Sequence, residues 1–216
     1  MFKDLNNKTV VITGGNGFLG SQFVNEFLEN NANVIVLDLK KRKFYHPKFT
    51  QYMCDITKEN SVRLAVKKIV KKFNKINILI NNAAIDHLPK KNKKKLNNFE
   101  EFDLLRWKKE LDVGLSGAMI CTKYFGKKMC DQNKGGVILN VSSDLGIIAP
   151  NQNLYQKLNF AKPVTYSVIK HGIIGLTKYT ASYWGNKRIR CNAIAPGGIN
   201  QNFDKHFVKK IKKLIP

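Results

Sequence analysis

Six short β-branched runs alternate with longer segments of helical spacing along this chain, and no other feature restricts its fold as much. The strand-like runs are Thr9–Thr13, Asn33–Leu37, Gln51–Cys54, Ile76–Ile80, Val137–Val141 and Ile189–Ile194. Between them lie Phe18–Asn30, Glu59–Phe73, Phe99–Met129 and Val164–Tyr183, whose apolar residues recur at helical spacing. Runs that are apolar almost throughout need cover on both faces, which a parallel sheet between two helix layers provides. Right-handed crossovers then predict an α/β fold, a Rossmann-type doubly wound parallel sheet flanked by helices. No linker or internal repeat interrupts the pattern, so residues 1–216 read as a single domain. Two irregular stretches, Asp86–Asn98 and Leu145–Lys162, each follow a strand end, where this architecture places its ligands.

The first strand-like run ends in Thr13-Gly14-Gly15-Asn16-Gly17-Phe18-Leu19-Gly20 and passes directly into a helix-spaced segment. Glycine in such a turn lets backbone N–H groups approach a pyrophosphate at the helix N-terminus, where the dipole favours an anion. A strand before and a helix after are the context that this motif requires. Gly14, Asn16, Gly17, Phe18, Leu19 and Gly20 are therefore the candidate phosphate loop of a dinucleotide site. The second run leads to Asp38, 18 residues after Gly20, near the spacing at which a carboxylate accepts hydrogen bonds from an adenosine ribose. A carboxylate there disfavours a 2′-phosphate, so NAD is expected over NADP. Lys40, Lys41 and Arg42 follow at once and offer cations that would receive that phosphate instead.

Composition narrows the alternatives. No apolar run reaches the roughly 18 residues that span a bilayer, and Thr9–Gly14 lies too near the N-terminus to leave room for a signal peptide. Cys54, Cys121, Cys130 and Cys191 form no CxxC pair, which predicts neither a metal site nor a disulfide framework and suits a reducing, cytoplasmic setting. Lys and Arg number 38 against 15 Asp and Glu, with the densest cluster at Lys90, Lys91, Lys93, Lys94 and Lys95. Such an excess suits a nucleic acid. The basic residues are nevertheless spread along the chain without interleaved aromatic stacking positions, so a solvated surface is expected, or one that concentrates an anionic small molecule.

Tyr166 and Lys170 stand four apart and share a helix face. An ammonium close to a phenol favours the phenolate and lowers a pKa that starts near about 10. Such a tyrosine can donate a proton to a carbonyl oxygen or remove one from an alcohol. Together with Asp55-Ile56, Asn81-Asn82-Ala83-Ala84, Asn140-Val141-Ser142-Ser143, Tyr166-Ser167-Val168-Ile169-Lys170 and Asn192-Ala193-Ile194-Ala195-Pro196-Gly197, the glycine loop gives the chain a resemblance to the short-chain dehydrogenase/reductase family over nearly its whole length.

That resemblance implies an NAD(P)-dependent oxidoreductase that interconverts a hydroxyl and a carbonyl group. It assigns Tyr166 as acid/base, Lys170 as its tuner and ribose anchor, and Ser143 as the donor that orients the reacting oxygen. Asp55 and Ile56 would meet the adenine, Asn82, Ala83 and Ala84 would line the cofactor, and Pro196, Gly197 and Ile199 would meet the nicotinamide carboxamide. The glycine spacing, the long insert between Ser143 and Tyr166, and Ala195-Pro196-Gly197-Gly198-Ile199 are most similar to a branch linked to nonulosonic-acid and flagellin-glycan biosynthesis. Ser143 lies 23 residues before Tyr166, and the insert between them carries Asn151, Gln152, Tyr155 and Phe160, a mixture suited to a polar, sugar-like or nucleotide-sugar substrate. Homo-oligomers are the family expectation.

Three departures stand out. The loop lacks the family's T-G-x-x-x-G-x-G spacing and resembles that of epimerase-type members. Gly114, in Val113-Gly114-Leu115-Ser116-Gly117, replaces an asparagine that organises a water in the family's proton relay. Beyond Pro196-Gly197 the chain runs through the basic amphipathic stretch Phe203–Pro216, without the last strand of the usual family sheet. A truncated gene product, a fragment or a domain completed by a partner would each read this way, with cofactor binding kept by the upstream residues and substrate capture the part in question. Two further readings follow: a dinucleotide-binding sensor or scaffold with impaired turnover, and a basic nucleic-acid-associated protein.

Overall fold

The computed structural model describes residues 2–85, 98–155, 160–199, 203 and 205–214. The lysine cluster at 90–95 and most of the stretch Asp86–Asn98 lie outside the described residues. Six parallel strands form one sheet: β1 (Thr9–Thr13), β2 (Asn33–Asp38), β3 (Phe49–Met53), β4 (Ile78–Asn81), β5 (Gly136–Val141) and β6 (Ile189–Ile194). Their spatial order is β3-β2-β1-β4-β5-β6, so the direction of winding reverses between β1 and β4. Helices α1 (Phe18–Glu29) and α2 (Glu59–Phe73) follow β1 and β3. A helical run over 104–131, α3, precedes β5, while α4 (Val164–Trp184) lies between β5 and β6 and α5 (Lys205–Ile211) follows β6.

The strand and helix positions match the sequence pattern closely, with shifts of one to two residues at several ends. The segment Phe99–Met129 differs most. Its helix begins at Leu104, because the Asp103 side chain caps the first turn by accepting from the Leu105 N–H at 2.9 Å. The run then passes through two π-helical turns, Asp112–Ser116 and Thr122–Gly126. The second ends at Gly126, where an added Cβ would lie 2.2 Å from Trp184 of α4. Only a glycine allows the two helices that close an approach.

Two apolar layers sandwich the sheet. On one side Val10, Ile12, Val34, Val36 and Ile80 pack with Val24 and Leu28 of α1. On the other, Val11, Ile35, Leu79 and Ile138 pack against Ile69 of α2 and Phe125 and Met129 of α3. β1 is buried throughout, whereas β3 and β6 stand at the two edges and remain partly exposed. The expectation of burial on both faces therefore applies to the central strands and weakens at the rims.

A buried polar chain crosses this core. Asn81 donates to Asn140 Oδ1 at 2.8 Å and to Thr122 Oγ1 at 3.0 Å, and Asn140 donates to Thr177 Oγ1 at 2.8 Å. It joins β4, β5, α3 and α4 directly beneath the strand ends that carry the site. Burial pushes the Cys121 thiol well up, and pushes Cys191 up to about 11, so neither is a ready nucleophile. Because Phe125 is fully buried between α3 and the sheet, Phe125→Ala is expected to cost about 3–5 kcal/mol in urea unfolding while the protein keeps its fold.

Candidate active site

The carboxyl ends of the strands open on one cavity of about 810 Å³. Its wall contains the candidate catalytic and cofactor-binding residues Gly14, Asn16, Gly17, Phe18, Leu19, Gly20, Asp38, Asp55, Ile56, Asn82, Ala83, Ala84, Ser143, Tyr166, Lys170, Pro196, Gly197 and Ile199, whereas Gln152 and Phe160 of the insert are not part of it. Residues up to 185 positions apart in sequence thus share one wall, because the parallel strands all end on the same side of the sheet.

The glycine loop is shaped by contacts from β4. Gly14 has φ +63°, and a Cβ there would lie 2.8 Å from the Ala83 Cα. A Cβ on Gly20 would come within 2.2 Å of the Gly14 carbonyl oxygen. The loop is therefore drawn tightly over the start of α1, in the form that admits a pyrophosphate to the helix N-terminus. Asn82 Nδ2 holds it there by donating to the carbonyls of Thr13 and Gly14 at 3.0 and 3.1 Å.

Asp38 ends β2 on the cavity wall. One carboxylate oxygen accepts from the Asn16 N–H at 3.1 Å, and the other accepts from Leu39 N at 2.8 Å. Of the cations that follow it, Lys40, Lys41 and Arg42 are absent from the cavity wall. Arg42 instead lies over the Phe44 ring, 4.5 Å from its centroid, and near the Phe49 ring at 5.6 Å. Asp55 accepts from the N–H and hydroxyl of Thr57 at 3.0 and 2.7 Å, which turns the chain into α2 and sets Ile56 on the wall.

At the other end, the turn after β5 packs on α4. Ser142 Oγ donates to the Lys170 carbonyl at 2.8 Å, and a Cβ on Gly146 would lie 2.7 Å from that same oxygen. Lys170 is 6% exposed, and its ammonium donates to the Val141 carbonyl at 2.8 Å. Its Nζ is 5.6 Å from the centroid of the Tyr166 ring. Ser143 Oγ donates to Asp144 Oδ1 at 2.7 Å. Asp144 had no motif to announce it, and the Ser143 oxygen in turn accepts from the Leu145 N–H at 3.2 Å.

Gly114 sits in the first π-helical turn of α3, and a Cβ there would lie 2.7 Å from Ile169 Cγ2. Ile169 lies between Tyr166 and Lys170 in sequence, so α4 packs into the space that a larger residue would need. Beside this contact, buried Glu110 of α3 pairs with Arg106 at 2.6 Å and accepts from the Thr165 hydroxyl. This pair braces the start of α4 next to Tyr166, and the sequence pattern did not reveal it because nothing local marks a buried glutamate.

Part of the insert lines the same cavity through Asn151, Leu154, Tyr155 and Lys162. Asn151, one of its polar residues, accepts from Asn153 N at 3.1 Å, and Gln152 binds the backbone of Lys162. Tyr155 packs on Phe160 and on Phe207 of α5, with ring centroids 5.6 and 5.3 Å apart. These side chains build the insert and lay an aromatic wall along the cavity, joined by Phe203 and Ile211. Among the described residues, no group of three or more His, Cys, Asp or Glu is placed to hold a metal ion, and no helix is long and apolar enough to cross a membrane.

This strand order, loop and wall define a dinucleotide-binding α/β oxidoreductase. The family profile for short chain dehydrogenase matches residues 8–212. A short chain dehydrogenase/reductase of Gibberella zeae is 33% identical over 216 residues, covering 92% of this chain and 73% of the relative. A short chain dehydrogenase of Leptospira borgpetersenii with bound NAD+ superposes with a TM-score of 0.86 at 30% identity, covering 97% of this chain and 78% of that one. ElxO with NADP bound superposes at a TM-score of 0.77 and 30% identity, covering 96% and 79%. The chain belongs to the short-chain dehydrogenase/reductase family. It is an oxidoreductase of the kind that acts on CH–OH groups.

Because α4 already fills the space beside Gly114, Gly114→Asn is expected to destabilise the protein by about 1–3 kcal/mol in thermal or urea unfolding rather than to raise turnover.

Proposed function

We propose that this protein uses NAD to interconvert a secondary hydroxyl and a carbonyl on a small, polar, sugar-like substrate, with Tyr166 as acid/base. The observation that carries this reading is the meeting of Ser143, Tyr166 and Lys170 on one cavity with the glycine loop and Asp38. The cradle fits the cofactor, since Cβ atoms at Gly14 and Gly20 would strike Ala83 and the Gly14 carbonyl, and their absence keeps the turn tight at the N-terminus of α1, where a pyrophosphate is favoured. Gly14, Asn16, Gly17 and Gly20 would hold the phosphates, Asp38 the adenosine ribose, and Asp55, Ile56, Asn82, Ala83 and Ala84 the adenine half. Pro196, Gly197 and Ile199 would hold the nicotinamide end. When bound, the cofactor accepts or supplies a hydride.

The chain's own residues then manage the proton and the geometry. Tyr166 removes the hydroxyl proton in one direction and returns it to the carbonyl oxygen in the other. Lys170, drawn to Val141 and close to the ring, favours the phenolate by its charge. Ser143 orients the reacting oxygen by donating the hydroxyl proton that Asp144 Oδ1 otherwise accepts. The aromatic wall of Tyr155, Phe203 and Phe207 offers a flat face to the C–H surface of a ring, and it excludes water from the reacting carbon. The insert and the segment from Ala195 to Ile199 support a narrower assignment to the nonulosonic-acid and flagellin-glycan branch.

NAD over NADP is supported by the Asp38 carboxylate and by the stacking of Arg42 away from the cavity. In a fluorescence titration NADH should bind more tightly than NADPH, and Asp38→Ala should weaken NADH at least severalfold and narrow the preference. Equal affinities in the unaltered protein would reject that part of the reading. Tyr166→Phe should lower turnover of a screened sugar or polyol by about a hundredfold or more while NADH affinity stays within twofold. Retained turnover would remove Tyr166 from the acid/base role.

A further inference from the structure

We infer that Lys162, on the insert, is a second cation that favours the Tyr166 phenolate, acting as a positioning residue close over the ring while Lys170 stands farther from its centroid. The inference rests on the reading of Tyr166 as acid/base. Lys162 Nζ lies 3.6 Å from the centroid of the Tyr166 ring, closer than Lys170 Nζ at 5.6 Å. An aromatic face carries negative charge density that attracts an ammonium. Ionisation of the hydroxyl spreads a full negative charge into that ring, so the cation gains more from the phenolate than from the phenol.

The insert holds Lys162 in this place. Its N–H donates to Gln152 Oε1 at 3.0 Å, and its carbonyl accepts from Gln152 Nε2 at 3.2 Å, so one amide grips both backbone groups. Pro163 follows with φ −61° and ψ 144°, and its carbonyl accepts from Tyr166 N at 3.1 Å at the entry to α4. Between Lys162 and Tyr166 the backbone is therefore fixed at both ends. A single polar side chain of the insert, Gln152, thus fixes the backbone from which Lys162 reaches the ring.

The other charged groups on the cavity wall are Lys109 from α3, Lys170 from α4, Asp144 after β5, and Asp38 and Asp55 at the adenosine end. Asp144 opposes the phenolate, but its Oδ1 already accepts from Ser143 and from Leu145 N at 2.7 Å each. The two lysines near the ring act in the same direction. Where Gly114 supplies no side chain to the proton relay, a cation on the ring is a direct means of keeping Tyr166 able to lose its proton.

The ionisation of Tyr166 is read without substrate as the tyrosinate absorbance of the protein minus that of Tyr166→Phe. In Lys162→Met, which keeps an apolar stem and loses the charge, the midpoint should rise by about one pH unit. Lys162→Gln should give a rise in the same direction, and Lys162→Arg should stay within a few tenths of a unit of the unaltered protein. NADH affinity and the unfolding midpoint of each variant verify the fold. A midpoint unchanged in both Lys162→Met and Lys162→Gln overturns the role of Lys162 and leaves the acid/base reading standing. Retained turnover in Tyr166→Phe would instead remove the reading on which it rests.

Discussion

The hydroxyl of Thr13 joins the ends of β1 and β4, and the rest of the site depends on that join. It accepts from the N–H groups of Asn82 and Ala83 at 3.0 and 3.1 Å, and it reaches the Ile80 carbonyl at 3.4 Å. The residue is 1% exposed, so these polar groups would have no water to turn to if it were lost. This is also the place where the winding of the sheet reverses. The helices on either side of a reversal diverge and leave a crevice above the strand ends. Thr13 thus holds the two strand ends at the foot of the crevice, and Asn82 extends the hold to the glycine loop.

From there the geometry spreads in two directions. Towards β2 and β3, hydrogen bonds to the carboxylates of Asp38 and Asp55 shape turns as well as present acidic groups. Towards β5 and β6, the Asn81–Asn140–Thr177 chain locks α4 onto the sheet. The Ser142 bond to the Lys170 carbonyl then sets the turn after β5 against the helix that carries Tyr166. The reacting end is therefore assembled from the strand side and the α3 side at once. Glu110 and Gly114 of α3 meet Thr165 and Ile169 of α4, one through a buried polar contact and one through close packing.

The insert changes the character of the substrate end. Asn151 and Gln152 hold the insert's own backbone, and its aromatic residues join those near and within α5. A loop that satisfies its own polar groups can keep a fixed shape over an open cavity. That shape is what brings a lysine of the insert over the Tyr166 ring.

Much of this protein was legible in its sequence, because the signals involved are local. The alternation of apolar runs and helical spacing determines a parallel sheet with helices on both faces, and Gly14, Gly17 and Gly20 between a strand and a helix determine the loop. Tyr166 and Lys170 share a face by helical period alone. Assigning Ser143, Asp55 and Pro196 drew on resemblance, and all three line the cavity. What only the tertiary structure decided are contacts between segments far apart in the chain. The Gly114–Ile169 packing, the Glu110–Thr165 contact, the stacking of Arg42 on Phe44 and the seat of Lys162 over Tyr166 are of this kind. A periodicity shows which face of an element is buried, but it carries no information on which partner meets that face. Distances across the fold are set by packing, and packing is a property of the whole chain.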